Sequence, residues 1–76
     1  MGPMGTQERR EVQVNGEPTA TAAGTVGELV VELGHDPASF GFAIARNGEV
    51  VRRGAWAETP IEAGDRIEVV GAVQGG

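Results

Sequence analysis

The sequence contains no cysteine, no lysine and no tyrosine. Without cysteine the chain forms no disulfide, presents no thiolate to a metal and has no thiol nucleophile. Without lysine it has no ε-amine, which excludes Schiff-base chemistry and isopeptide linkage through its own side chains. All six basic residues are arginines: Arg9, Arg10, Arg46, Arg52, Arg53 and Arg66. Aromatic residues are scarce, limited to Phe40, Phe42 and Trp56. No apolar run approaches the ~18 residues of a membrane span, and no secretory signal pattern is visible, so a cytoplasmic protein without a membrane partner is expected. Eleven acids stand against six bases, for a net charge of −5. That balance lacks the electrostatic footprint of a nucleic-acid binder and favours partners with basic surfaces.

Seventy-six residues make one domain. A chain of this size buries only about 60% of its unfolded surface, which leaves little material for a catalytic cleft and its supporting shell. A carrier or binding module is expected rather than an enzyme. No glycine-rich phosphate loop with a lysine is present, so no bound nucleotide cofactor is expected. His35 is the single histidine; without a cluster of ligand residues around it, it reads as a turn residue and no metal site is expected.

Periodicity supplies the architecture. Residues 1–10 read as a flexible lead-in, 11–74 as the folded domain and 75–76 as a diglycine tail. Glu11 to Val14 alternates polar and apolar, Asn15-Gly16 is a tight hairpin turn, and Thr19 to Ala22 alternates again as the return strand. Thr25 and Glu28 have capping-box spacing, and Val26, Leu29, Val30 and Leu33 form one helical stripe. Gly34 stops that helix and Pro37 forbids its continuation. Gly41 to Arg46 and Glu49 to Arg53 flank a second hairpin turn at Asn47-Gly48. Trp56 then anchors a loop by packing. Arg66 to Val73 is the last strand, expected at the centre of the sheet beside the first. The order β-β-α-β-β-β, with one helix on one face of a mixed sheet, is an α+β fold of the β-grasp type.

Four blocks of residues resemble the ThiS family, small sulfur carriers of thiamine biosynthesis with a ubiquitin-like β-grasp fold. Val14-Asn15-Gly16-Glu17 is similar to that family's opening turn, and Thr25-Val26-x-Glu28-Leu29-x-x-x-Leu33-Gly34 to its helix. Ala45-x-Asn47-Gly48-Glu49-Val50-Val51-x-Arg53 with Trp56 resembles its middle hairpin. Gly64-Asp65-Arg66-Ile67-Glu68-Val69-Val70-x-Ala72-Val73-x-Gly75-Gly76 resembles its last strand and tail. The likeness runs from about residue 12 to 76. It departs from the family pattern at Arg52, where relatives usually carry proline, and at Arg46, where they often carry an apolar residue.

The resemblance implies a chemistry for the tail. A ThiF-type adenylating enzyme would use MgATP to convert the Gly76 carboxylate to an acyl-adenylate. A cysteine desulfurase or another donor would deliver sulfur and leave a thiocarboxylate. A ThiG-type thiazole synthase would consume that sulfur. Gly76 carries the atom, and Gly75 gives the slim approach that a Cβ would obstruct. Three other readings remain: a molybdopterin or tRNA-thiolation carrier, a ubiquitin-like protein modifier, and a β-grasp binding module with an inert tail.

Strand parity nominates a partner surface. Arg66 and Glu68 share one parity with Val70 and Ala72, while Ile67 and Val69 share the other. Charged residues face water, so Val70 and Ala72 are expected on the open face near the tail, as a partner patch or as ordinary scattered surface residues. Phe42 and Ile44 are candidate members, although Ala43 and Ala45 leave that strand's parity open. Arg53 is a candidate partner contact, with a solvated strand end as the equal alternative. Glu58, Glu62, Asp65 and Glu68 read as a solvated face, unless Asp65 orders the turn before the last strand.

Overall fold

A computed structural model describes residues 9–39 and 41–71. Its elements follow the expected order: β1 (Arg10–Val14), β2 (Glu17–Thr21), α1 (Val26–Glu32), β3 (Phe42–Arg46), β4 (Glu49–Val51) and β5 (Arg66–Gly71). A 3-10 helix at Arg53–Glu58 occupies part of the expected loop. It also truncates β4, which ends at Val51 rather than Arg53.

The sheet order is β2-β1-β5-β3-β4. β5 runs parallel to β1 and antiparallel to β3, so the last strand is central and joins the two hairpins. The Asn-Gly dipeptides drive the hairpins. Asn15 and Asn47 adopt φ of 53° and 54°, followed by Gly16 at 85° and Gly48 at 88°, the left-handed pair that a two-residue turn needs. Pro18 lies on the edge strand β2, where a missing N–H costs no ladder bond.

α1 is short and well terminated. The Thr25 hydroxyl accepts the Glu28 N–H at 3.2 Å. The Glu28 carboxylate accepts from Gly24 N–H at 2.7 Å rather than from Thr25, so the capping box closes one residue earlier than its usual form. At the other end, Gly34 N–H donates to Val31 O and His35 N–H to Val30 O, with Gly34 at φ 92°; this is the paired closure that a C-terminal glycine permits. Seven residues form no stable helix alone. Burial of Val26, Leu29 and Val30 holds α1 on the sheet, at roughly 1.5–3 kcal/mol per side chain.

Val12, Ala23, Val26, Leu29, Val30, Ile44, Trp56, Ile61 and Ile67 form the core, with Val14, Leu33, Phe42, Val51 and Val69 packed around it. Trp56 is buried and its indole N–H donates to Val51 O at 2.8 Å, so the expected packing role holds. Among the described residues no helix is long and apolar enough to cross a membrane, and no group of potential ligands is placed to hold a metal.

Candidate functional site: the open sheet face and the strand leading to the tail

α1 covers one face of the sheet, and the other face carries the site. Strand pairing decides which side chains share that face. Ala43 pairs with Val70 and Ala45 with Glu68 across β3 and β5, and Ala45 pairs with Val50 across β3 and β4. Val70 is 56% exposed and Val50 71% exposed. Ala43 is also exposed and Ala45 half-buried. Together they make a small apolar strip across three strands. Elsewhere the face carries Glu11 and Gln13 on β1, Arg66 and Glu68 on β5, and Ala20 and Pro18 on β2 opposite Glu11 and Gln13, all exposed.

Val70 therefore sits on the open face as its parity predicts. Ile44 does not. Its side chain is 1% exposed and belongs to the core beneath α1. The expectation that Ile44 contributes to a partner surface is corrected: Ile44 faces the helix, and its neighbours Ala43 and Ala45 take the open face instead. Sequence left the parity of β3 open because alanine suits either face. The register with β5 closes the question, since Val70 and Ala43 are opposite one another and opposite residues point to one side.

Phe42 shares the parity of Ile44 and turns to the covered side, where it is half-buried. It stacks between His35 and Trp56, with ring centroids 5.1 Å and 5.5 Å away. Arg53 closes this cluster. Its guanidinium lies 4.4 Å from the Trp56 ring centroid and 5.3 Å from that of Phe42, and it donates to Pro37 O. A cation over two aromatic faces is attracted by their electron density. Arg53 is thus neither a strand end in solvent nor a member of the Val70 strip; it clasps the segment after α1 to the 3-10 helix. Ala72, Gly75 and Gly76 lie outside the described residues.

Asp65 is the polar centre of the opposite end of the sheet, where β5 begins. Only 6% exposed, it is not the solvated acid that its neighbours in sequence suggest. Its Oδ2 accepts from Arg46 Nε at 2.7 Å and from Glu62 N–H at 2.8 Å, and its Oδ1 accepts from Asn47 Nδ2 at 3.0 Å. Burial pushes the Asp65 carboxyl up, but the hydrogen bonds from Arg46, Glu62 and Asn47 outweigh it and hold the group below the ordinary carboxylate range. The Arg46 guanidinium is raised in turn, chiefly by its hydrogen bond to Asp65. Asp65 orders the turn before β5, and Arg46 is the charge that matches it. The departure at Arg46 from an apolar residue is therefore accompanied by its own internal partner.

The hairpin asparagines do more than turn the chain. Asn15 N–H donates to Ile67 O at 2.8 Å, and Asn15 Oδ1 accepts Val69 N–H at 2.9 Å. On the opposite side of β5, Asn47 N–H donates to Arg66 O at 2.7 Å and Asn47 Oδ1 accepts Arg66 N–H at 2.8 Å. Each asparagine has swung its own carbonyl out of the ladder by taking a positive φ, and its side-chain oxygen supplies the missing rung. The sequence signal was the Asn-Gly turn alone; the second role needs the neighbouring strand.

Comparisons with known proteins agree with this geometry. The family model described as "ThiS family" matches residues 8–76. A crystal structure of the thiamine biosynthesis protein ThiS from Geobacter metallireducens superposes with a TM-score of 0.73 at 30% identity, covering 87% of this chain and 99% of that one. A solution structure of a thiamine biosynthesis protein from the same organism gives 0.70 at 30% identity, covering 87% of each chain. A curated relative from Magnetococcus marinus, named thiazole synthase, is 39% identical over 67 residues; the match takes in 87% of this chain and only 20% of that relative's length. With the ubiquitin-like β-grasp sheet, the central β5 and the family pattern all in place, the chain belongs to the ThiS family.

Proposed function

We propose that this protein is a sulfur carrier for thiazole formation in thiamine biosynthesis, and not itself an enzyme. The observation that carries the reading is the ThiS family match, which runs through Gly75 and Gly76. A carboxylate is a poor acyl donor because its oxygens leave poorly. A ThiF-type enzyme with MgATP makes it reactive: the Gly76 carboxylate attacks the α-phosphate, pyrophosphate leaves, and an acyl-adenylate remains. The terminal sulfur of a persulfide from a cysteine desulfurase or another donor attacks the carbonyl and AMP departs; a reducing thiol then cleaves the S–S bond of the acyl disulfide, itself going to a disulfide, and Gly76 is left as a thiocarboxylate. A thiazole synthase then takes the sulfur. Support for that last partner is the Magnetococcus marinus relative, in which a segment similar to this chain makes up one fifth of a protein named thiazole synthase.

The chain's own part is presentation. β5 is hydrogen-bonded on both sides by β1 and β3, and residues 72–76 continue from it. The strip of Ala43, Ala45, Val50 and Val70 lies beside the end of β5 and offers the apolar centre that protein interfaces favour. Exposed Glu68, opposite Ala45 in the β3–β5 register, borders it and suits a partner with a basic residue at its rim.

Incubation with a ThiF-type enzyme, MgATP and a sulfur donor, followed by intact-mass measurement, tests this. The expected product has one oxygen replaced by sulfur, and deletion of Gly76 abolishes it without changing the unfolding midpoint. An unchanged mass beside an enzyme shown to be active on another carrier would sink the reading. An isopeptide product would move the chain to the ubiquitin-like modifiers.

A further inference from the structure

Asn15 and Asn47 bind the central strand in matching ways but on opposite edges and at different points along it. Asn47 holds the Arg66 N–H, where β5 begins. Asn15 holds the Val69 N–H, one rung beyond the last β1–β5 pair, Val14 with Ile67. Past that pair β1 has turned away, and among the described residues no strand lies on that side of β5. In a continued parallel ladder the Asn15 carbonyl would accept the Val69 N–H. Its φ of 53° turns that carbonyl aside, and the side-chain Oδ1 stands in. Among the described residues, the segment Val69–Gly71 is thus gripped on one side by β3, through Ile44, Ala43 and Phe42, and on the other by the Asn15 side chain.

We propose that Asn15 is a positioning residue for the carrier reaction: its side-chain amide fixes the direction in which β5 delivers residues 72–76 to the adenylating enzyme. The inference rests on the carrier reading and deepens it. A tail that must meet an enzyme's nucleotide site is sensitive to the angle at its root, because an error there grows with each residue; misplacements of an ångström cost up to about a hundredfold in rate elsewhere. Turn formation alone does not require the amide. Glycine accepts the positive φ equally well, and aspartate tolerates it while keeping an oxygen at the same place. Those two substitutions separate the turn from the grip.

The test compares Asn15→Gly, Asn15→Asp and Asn47→Gly in the full chain. Two quantities are measured: amide hydrogen exchange at Val69, and pyrophosphate release by a ThiF-type enzyme with MgATP as carrier concentration is varied. In Asn15→Gly, Val69 exchange is expected to rise about fivefold, and the KM for the carrier about five- to tenfold with kcat within about twofold. Asn15→Asp restores both. Asn47→Gly speeds exchange at Arg66 but leaves the carrier KM near that of the unaltered chain, although it loses both the corresponding hydrogen bond and the one to Asp65. Equal KM values in the two glycine variants, or no rescue by aspartate, overturn the assignment. If the unaltered chain releases no pyrophosphate, the carrier reading fails by itself. Val69 exchange then decides the grip, and exchange unchanged in Asn15→Gly overturns it.

Discussion

On the covered face of the sheet Val12, Ile44 and Ile67 are each at most 1% exposed. One residue away along the same strands, Gln13, Ala43 and Glu68 stand in water. Alternation accounts for that contrast. It does not account for a second one, within the open face itself. On β1 and the first half of β5 that face is charged or amidated, with Pro18 and Ala20 at the β2 edge, whereas β3, β4 and the end of β5 carry Ala43, Ala45, Val50 and Val70. The covered face is apolar because folding requires it. The apolar strip on the open face has no such requirement, which is why we propose it as a place where another protein binds.

Substitutions on the two faces should therefore separate stability from partner binding. The largest effect on folding is expected from Ile44→Ala, which leaves a cavity under α1 and costs about 3 kcal/mol. Thermal unfolding should show a midpoint lower by roughly 12–24 °C. A small change would mean that the covered face repacks easily and that the contrast is weaker than burial suggests.

Asp65→Ala comes next, at about 2 kcal/mol near neutral pH, because it strands the Arg46 guanidinium and the Glu62 N–H. The pH dependence has a definite sign. The Asp65 carboxyl titrates below its ordinary value of 3.8 in the folded chain, so its contribution is fully present above that value and fades as pH falls through the lower, folded one. Urea unfolding of the variant and of the unaltered chain should accordingly differ at pH 7 and converge in stronger acid. A difference that persists undiminished at pH 2 would assign the effect to packing instead of charge.

Val70→Ser should leave stability within about 0.5 kcal/mol and weaken binding to the adenylating enzyme about tenfold. Calorimetric titration against that enzyme measures the second quantity and urea unfolding the first. If both stay unchanged, the strip is only incidental surface.

Much of the fold was legible in the residues. The two Asn-Gly turns, the Thr25…Glu28 cap, the stripe from Val26 to Leu33 and the stop at Gly34 are local signals, each carried by a few neighbours in sequence. The central place of β5 was legible from the pattern as a whole. Other features were not. The 3-10 helix at Arg53–Glu58 is a stretch of arginine, glycine and alanine around Trp56, with no periodicity of its own, and it exists because the indole is pulled into the core. Arg53 looked like a strand-end charge because its aromatic partner Phe42 lies eleven positions away in sequence.

The sequence by itself determined where the chain turns, which strip of α1 is apolar, and that no thiol or lysine amine is available for covalent chemistry. Those properties depend on residue type and on spacings of a few positions. Only the tertiary structure decided which face Ile44 occupies, that Asp65 is buried against Arg46, and that Asn15 and Asn47 hold β5 as well as turning the chain. Each depends on the register between strands distant in sequence. Register is fixed when the apolar faces of both hairpins close on one helix, a condition of the whole chain that no segment carries alone.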